Sequence, residues 1–469
     1  MSSIAQPETR TATDADVAGD AATLRAGHFY RVVWRWHFYA GLFVIPFLLI
    51  LAVTGIVYLF KPQLDRLMYP QHVQASGAAL PFARQIAAAS AVYPGATISS
   101  VVTPEDATRS TEVTLAAADG RDLTVFVDPY TATVLGERNE NNNLQYYAVT
   151  LHGELMAGTW GDYLVELAAC WAIVLVVSGL FMWWPRKGSM VWGILLPRLN
   201  RTNKRIFWRD MHAVVGFWGS AVVLFLLLTG LPWAGFWGSN FAKVSSQYPA
   251  QLWDDVPAST QLTGDLNTTA VKTVPWAVEQ LPMPTSTNSG VPAGTPVNLD
   301  SVVALAQAQG VASGFSVSLP DAAEGVYTVS IFPNDPGKQA TLHIDQYSGA
   351  VLADVRFADY ALVPKAVEMG IAVHEGKYFG PLNQIVMLLA CLVVITLAFS
   401  AVVMWWQRRP AKRLGAPAMP KNFPIWKGAV ALIAVLGIAF PFVGISLVVV
   451  LLLDYLVIQR VPMLKAALN

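Results

Sequence analysis

The chain has 469 residues, of which 54% are apolar and only 13% are charged. Several uncharged apolar runs reach the membrane-spanning length of about 18 residues, which excludes an ordinary soluble domain and predicts an α-helical polytopic membrane protein in contact with a lipid bilayer. The 31 basic and 31 acidic residues cancel, so no net field would attract nucleic acid, and none is expected as a partner.

Four apolar segments, at 38–60, 163–184, 213–237 and 384–406, are each long enough to cross a hydrocarbon layer of ~30 Å as a helix. Basic residues cluster before the first segment, between the second and third, and after the fourth. They are Arg31, Arg35, Arg186, Lys187, Arg198, Arg201, Lys204, Arg205, Arg209, Arg408, Arg409, Lys412 and Arg413. Because Lys and Arg are enriched at cytoplasmic ends of membrane helices, the amino terminus is predicted to be cytoplasmic.

A further apolar stretch at 425–458 is broken near 440–444 and has basic residues on both sides, which predicts a short hairpin and brings the expected number of membrane helices to six. The predicted organisation has eight parts. They are a disordered cytoplasmic tail (1–24), the first helix (25–62), an extracytoplasmic module (63–150), the second helix with a preceding histidine loop (151–187), a cytoplasmic loop and third helix (188–237), a second extracytoplasmic module (238–372), the fourth helix with its histidine loop (373–408) and the hairpin (409–469).

The two extracytoplasmic insertions are far longer than ordinary connecting loops, which indicates folded modules. In each, two β-prone runs flank a turn sequence and predict a β-hairpin, and an apolar helical stretch precedes the hairpin. The strands are expected at 111–116 and 123–127 in the first insertion and at 327–331 and 341–344 in the second, and the helices at 82–91 and 302–309. Each insertion is therefore predicted to be a small α+β module.

The membrane segments also repeat, and the repeat contains histidines. His37 precedes Thr54 by 17 residues, and His212 precedes Thr229 by the same 17 (54 − 37 and 229 − 212). The first and third helices are therefore expected to be copies of one unit, with His37 and His212 near their cytoplasmic ends.

A second pair of histidines follows the same rule. His152 precedes Ser178 by 26 residues, as His374 precedes Ser400 (178 − 152 and 400 − 374). These two histidines are predicted to lie in loops just before the second and fourth helices, on the side of the membrane opposite to the first pair.

Imidazole is the usual protein ligand of haem iron, and ionisable side chains at membrane depth are costly enough to indicate function. If the two halves are related by a pseudo-twofold axis along the membrane normal, His37 meets His212 and His152 meets His374. Two haems are thus predicted, one near each membrane face. For any single histidine the alternative is an interfacial side chain hydrogen-bonded to lipid or water, and the duplication favours iron ligation.

Other residues indicate which type of haem is expected and how it would be held. Cys170 and Cys391, the two cysteines of the chain, both lie in apolar spans, and no Cys-x-x-Cys-His attachment motif occurs, so the haems are expected to be non-covalent b-type. Arg35 and Arg209 precede their histidines by two and three residues and are candidate partners for haem propionates. Anchoring at a positive cytoplasmic face explains these arginines about as well.

These motifs together resemble the PepSY-associated transmembrane family over residues 25 to about 410. They are a helix opening with Trp-Arg-x-His or Trp-Arg-Asp-x-His, an insert ending in Val/Ile-Asp-x-Tyr-Ser/Thr, a following His-Gly-Glu or His-Glu-Gly, and a helix closing in Met-Trp-Trp. The resemblance implies PepSY-like periplasmic modules and a multi-pass protein of the bacterial inner membrane. It also implies kinship with di-haem b ferrisiderophore reductases, with His37, His212, His152 and His374 as axial ligands.

The expected activity is therefore that of a ferric-chelate reductase, which passes electrons across the membrane to a periplasmic ferric siderophore or similar chelate and releases Fe(II). No Gly-x-Gly-x-x-Gly fingerprint occurs, so the donor is expected to be external, a quinol or a cytoplasmic reductase. Alternatives of another class are a PepSY-type ligand-binding or peptidase-regulating protein, and an iron or siderophore transporter without redox activity. A haem absorption spectrum would distinguish them.

Overall fold

A computed structural model describes residues 14–185, 191–199, 203–245, 256–267, 272–287, 297–411, 413–417, 427–458, 460, 461 and 463. Its helices, in chain order, are α1 (Asp14–Leu59), α2 (Lys61–Met68), α3 (Phe82–Val92), α4 (Leu144–Glu154), α5 (Gly158–Trp183), α6 (Lys204–Gly230), α7 (Gly235–Ser245), α8 (Leu299–Ala308), α9 (Leu362–His374), α10 (Pro381–Arg408), α11 (Lys427–Ala439) and α12 (Pro441–Leu453). Its strands are β1 (Thr97–Val102), β2 (Thr111–Ala116), β3 (Asp122–Val127), β4 (Val134–Asn139), β5 (Ala258–Leu262), β6 (Pro282–Pro284), β7 (Ser316–Ser318), β8 (Val326–Ile331), β9 (Ala340–Asp345) and β10 (Val351–Arg356).

Among the described residues, four helical stretches are long and apolar enough to cross a membrane. They are Gly27–Leu59, Gly158–Trp183, Lys204–Trp233 and Pro381–Arg408. They coincide with the four spans predicted from the sequence. The protein is thus a membrane protein with a sheet-rich part outside the spans.

The helical spans extend beyond the apolar segments at 38–60 and 213–237. His37 and His212, predicted near the cytoplasmic ends of the first and third helices, lie inside Gly27–Leu59 and Lys204–Trp233. The basic residues that precede each apolar segment continue its helix, because long Lys and Arg side chains can reach water from within a helical segment. The third helix also ends earlier, at Gly230, because Pro232 lacks the N–H that another helical turn needs.

The chain ends depart from the predictions in smaller ways. α1 begins at Asp14, so residues 14–24 are helical rather than disordered, and residues 1–13 lie outside the described part. The predicted hairpin contains two 13-residue helices, α11 and α12, which pack closely where Gly437 and Gly444 meet. A count of six membrane helices stays a prediction. Four of the predicted basic flanking residues, Arg186, Lys187, Arg201 and Lys412, lie outside the described residues.

The chain divides into two compact units. The first comprises residues 1–48, 167–224 and 393–469, and the second comprises 49–166 and 225–392. In the first unit, α12 is tied to α5 by a hydrogen bond from Trp171 Nε1 to Ser446 Oγ of 3.0 Å. The loop at 191–199 is tied to α6 in the same unit by Trp218 Nε1, which donates to the Leu195 carbonyl at 3.0 Å.

The second unit contains both α+β modules, and both predicted hairpins are confirmed as β2–β3 and β8–β9. The two modules are not separate, however, because β1 pairs antiparallel with β7 and places Val101 opposite Val317. The result is one eight-stranded sheet in the order β10-β9-β8-β7-β1-β2-β3-β4. The predicted helices are confirmed as α3 and α8, and both pack on the core of this shared sheet.

Two short helices of the second unit carry the other pair of histidines. His152 lies in the last turn of α4, and His374 is the last residue of α9, so neither is in a loop as predicted. α4 forms because Asn143 caps its amino terminus by accepting from the Tyr146 amide at 2.8 Å. α9 is held by a separate apolar cluster that packs Ile371 against the buried Trp276.

Candidate functional site

In the first unit, His37 and His212 are each hydrogen-bonded to a serine of the next membrane helix. Nδ1 of His37 lies 2.9 Å from Ser178 Oγ, and Nδ1 of His212 lies 3.0 Å from Ser400 Oγ. The two imidazoles are half-buried and near enough to interact electrostatically. The structure therefore brings together the first predicted histidine pair, His37 and His212.

In the second unit, His152 and His374 are held in the same way by threonines. Nδ1 of His152 lies 3.0 Å from Thr54 Oγ1, and Nδ1 of His374 lies 2.8 Å from Thr229 Oγ1. These two imidazoles are also half-buried and interact electrostatically. They form the second histidine pair, His152 and His374.

The imidazoles of the second pair are neutral at ordinary pH. Burial, with the charge that His374 would carry as a smaller cause, lowers the pKa of His152 to about 4. Burial also lowers the pKa of His374. A neutral imidazole has one nitrogen with a free lone pair, which is the form that binds a metal.

The same hydrogen bond between an imidazole and a hydroxyl thus occurs at four places. Each time it involves Nδ1 of the imidazole and does not involve Nε2. Among the described residues, no hydrogen bond to Nε2 of any of these four histidines is formed. An imidazole fixed through one nitrogen, with the other nitrogen available, is the usual arrangement of a metal-binding histidine. Four such groups in two pairs fit the bis-imidazole ligation of two b-type haems.

Small residues lie beside three of the imidazoles and allow the close approach of the rings. Each is a glycine that directly follows the bonded hydroxyl residue. The distance from a Cβ built on the glycine to the imidazole Cε1 would be 3.6 Å for Gly55 and His152, 3.4 Å for Gly179 and His37, and 3.7 Å for Gly230 and His374. One turn after His37, Gly41 has open space where a side chain would project. This space suits a bulky planar ligand at His37.

The two arginines predicted to meet haem propionates have partners within the protein. Arg35 donates to the Pro417 carbonyl at 2.7 Å and lies over the Tyr39 ring. Arg209 pairs with Asp210 at 2.8 Å, a carboxylate that is completely buried. Neither contact tests membrane anchoring, and the propionate role stays a prediction.

Asp210 joins the loop at 191–199 to α6 near His212. Its carboxylate also accepts two hydrogen bonds from the Arg198 guanidinium, at 2.7 and 3.0 Å. Because Arg198 belongs to the loop at 191–199, this bidentate pair fixes the loop to α6 two residues before His212. This pair was not predicted, because the pattern of basic flanking residues does not indicate that Arg198 contacts Asp210.

A polar cluster accompanies the second pair on one side. Glu375, the residue after His374, pairs with Lys377 at 2.5 Å and accepts a hydrogen bond from Tyr58 at 3.3 Å. The first half of the chain has Gly153 after His152 instead. Burial acts to lower the pKa of Lys377, but the neighbouring Glu375 and Tyr58 outweigh it and raise the pKa above its usual range. The contact with Tyr58 was not predicted, because Tyr58 lies 317 residues before Glu375 in the chain.

The hydroxyl partners of the histidines could be recognised in the sequence only as part of the repeat. Thr54, Thr229, Ser178 and Ser400 marked the register of the repeat, but their contact with the histidines was not predicted. Among the described residues, no group of three or more His, Cys, Asp or Glu side chains has the geometry of a metal site. A bis-imidazole site needs only two such side chains.

Comparison with known families shows the family to which the chain belongs. The family model for the PepSY-associated TM region matches residues 34–408, which is 375 of the 469 residues (408 − 34 + 1). The chain belongs to this family. The match includes all four histidines and their hydroxyl partners, and it confirms the resemblance seen in the motifs. No curated protein matches the chain.

Proposed function

We propose that the protein is a di-haem b reductase of the bacterial inner membrane, which passes electrons to a ferric chelate on the periplasmic side. The observation that carries this proposal is the fourfold bond between imidazole Nδ1 and a hydroxyl, which leaves four Nε2 atoms without a described partner. Histidines that only joined helices would not need to come in two pairs with the same hydrogen bond. Iron ligation explains both the pairing and the available nitrogen.

Each pair has a defined role in this proposal. His37 and His212 hold an inner haem, and His152 and His374 hold an outer haem, in each case through Nε2. When bound, each haem supplies a one-electron Fe(III)/Fe(II) couple. The hydroxyl residues orient the imidazoles, and the adjacent glycines keep side chains away from the ring edges.

The distribution of charge supports the proposed orientation. The basic clusters that flank the predicted spans all lie in the first unit, which has 19 of the 31 basic residues. Basic residues concentrate on the cytoplasmic side of membrane proteins. The first unit, with the His37 and His212 pair, is therefore assigned to the cytoplasmic side, and the sheet of the second unit to the periplasm.

The substrate and donor follow from this orientation and from the chemistry of iron. A ferric chelate reduced on the periplasmic side would release its iron, because Fe(II) is held by hard oxygen ligands far less tightly than Fe(III). The chain has no Gly-x-Gly-x-x-Gly fingerprint, so the electrons come from an external quinol or cytoplasmic reductase. The chelate is a ferric siderophore or a similar compound.

Absorption spectroscopy of the purified protein tests the proposal directly. Protein from haem-replete cells is expected to show a Soret band, with sharp α and β bands on reduction, and pyridine haemochrome analysis is expected to give two non-covalent haems per chain. One haem per chain would mean that one pair is structural. A colourless, folded preparation would contradict the proposal and favour a ligand-binding or transport role.

A further inference from the structure

The four hydroxyl groups that contact the histidines each donate a hydrogen bond to a backbone carbonyl of their own helix. Oγ1 of Thr54 lies 2.7 Å from the Ile50 carbonyl, and Oγ1 of Thr229 lies 2.7 Å from the Phe225 carbonyl. A carbonyl can only accept, and a hydroxyl has one proton to donate. The hydroxyl oxygen must then accept a hydrogen bond from the imidazole, so Nδ1 of the partner histidine carries the proton.

The serines of the first unit lead to the same assignment. Ser178 Oγ donates to the Val174 carbonyl at 2.7 Å, and Ser400 Oγ donates to the Leu397 carbonyl at 3.1 Å. His212 gives an independent check, because its Nδ1 also lies 3.2 Å from the Leu397 carbonyl. Because a carbonyl oxygen only accepts, Nδ1 can bond to it only when it carries the proton.

We propose that Thr54, Ser178, Thr229 and Ser400 are positioning residues that fix each imidazole in the Nδ1–H tautomer and present the Nε2 lone pair as the ligand. The inference deepens the proposed function, and it rests on that function only for the identity of what Nε2 binds. Without the hydroxyl, the proton is free to occupy Nε2 and block ligation. The tautomer is therefore set before any cofactor arrives.

The hydrogen bond that Nδ1–H donates to the hydroxyl oxygen also affects a metal bound at Nε2. A hydrogen bond from Nδ1–H makes an imidazole a stronger electron donor to a bound metal, which favours the oxidised state. Loss of the hydroxyl therefore weakens ligation and raises the midpoint potential of the haem that remains. A helix-joining role alone would change stability and leave this potential unmoved.

The first experiment reads the tautomer without the cofactor. Full-length protein from haem-deficient cells, labelled with ¹⁵N-histidine, is studied by solid-state NMR. Wild type is expected to show Nδ1–H for His37, His152, His212 and His374, and Thr229→Val is expected to lose that preference at His374. Nε2–H in the wild type would overturn the proposal. If protein from haem-replete cells is colourless while the haem-free protein shows Nδ1–H, the haem function is refuted and the tautomer assignment stands.

The second experiment uses matched variants of the haem-loaded protein. Thr229→Val keeps the methyl group that packs against Gly370 but loses the hydroxyl. It is expected to weaken outer-haem binding by about 10- to 100-fold and to raise that haem's midpoint potential. Thr229→Ser is expected to restore both. Ser220→Ala is the control and is expected to change neither, because it removes a hydroxyl that, among the described residues, bonds only to the Phe217 carbonyl of its own helix, at 2.7 Å.

Ser178→Ala repeats the test at the inner haem and keeps the inference falsifiable if Thr229→Val does not fold. The inner potential is expected to rise while the outer potential stays constant. Folded Ser178→Ala protein with wild-type haem content and both potentials unchanged would overturn the positioning role.

Discussion

Glu368 offers a quantitative test of the structure around the second histidine pair. Its side chain is completely buried in α9, where the carboxylate accepts from the Ala277 amide at 2.8 Å and from Gln339 Nε2 at 2.7 Å. Burial raises the pKa of Glu368 to about 7, and these two hydrogen bonds only partly oppose the rise. Glu279 and Glu375 add smaller contributions in the same direction as burial.

The sign of the pH effect follows from linkage. Because the folded protein holds this proton more tightly than the unfolded chain, the stabilisation is complete below the ordinary pKa of 4.5 and is lost as the pH rises through about 7. The interval between these values corresponds to roughly 3 kcal/mol, at about 1.36 kcal/mol per pH unit. The native state is therefore expected to lose up to that amount on the alkaline side.

Glu368→Gln mimics the protonated acid and is expected to remove this loss. The new amide oxygen can accept from Ala277, and its N–H groups can donate to Gln339 Oε1, a buried atom that has no hydrogen-bond partner among the described residues. Denaturant unfolding of the full chain in detergent is expected to show roughly 3 kcal/mol of added stability near pH 8 and almost none near pH 4.

The exposed Glu105→Gln is the matched control and is expected to match wild type at both pH values. Comparing each variant with wild type at the same pH removes the contribution of other titrating groups, because distant sites act additively. An equal difference between Glu368→Gln and wild type at both pH values, or a loss of stability near pH 8, would refute this account of the buried carboxyl.

Three further predictions concern the histidine pairs and their support. Substitution of His37 or His212 by Ala is expected to remove the inner haem and leave the outer haem, and substitution of His152 or His374 by Ala is expected to have the opposite effect. Pyridine haemochrome analysis counts the haems. Loss of both haems from a folded single variant would show that the sites depend on each other. In sealed vesicles, chemically reduced protein is expected to be reoxidised by ferric hydroxamate added on the periplasmic side. His374→Ala is expected to abolish this reoxidation while the inner haem still accepts electrons from its donor. Reduction of the chelate at the normal rate in that variant would mean that electrons leave the protein from the inner site. Asp210→Asn, which breaks the buried pairs to Arg198 and Arg209, is expected to cost about 2 kcal/mol of unfolding free energy in detergent, whereas Asp119→Asn at an exposed pair is expected to change stability little.

Sequence reasoning succeeded where the signal was local. The four spans, both hairpins and the helices α3 and α8 follow from apolar runs, turn residues and periodicity, which depend on neighbours in the chain. The positions of His152 and His374 in short helices were missed, because α4 depends on its Asn143 cap and α9 on packing against a distant segment.

The joining of the two modules could not be predicted in the same way. β1 and β7 pair through short strands rich in serine, with Ser100 opposite Ser318 beside the central valines. Neither strand has the apolar alternation that identifies a β-strand, and their pairing spans more than 200 residues of sequence. Contacts of that kind are fixed by the tertiary fold rather than by local preference.

The two halves of the chain agree at the imidazoles and differ around them. The bond from Nδ1 to a hydroxyl occurs in both halves at both pairs, whereas the residue after the histidine is Gly153 in one half and Glu375, with its Lys377 and Tyr58 partners, in the other. A bond that only held helices together could have been replaced by other packing, as the surroundings were. Its retention at four places is therefore best explained by a requirement for the orientation of each imidazole, which is what a metal ligand needs.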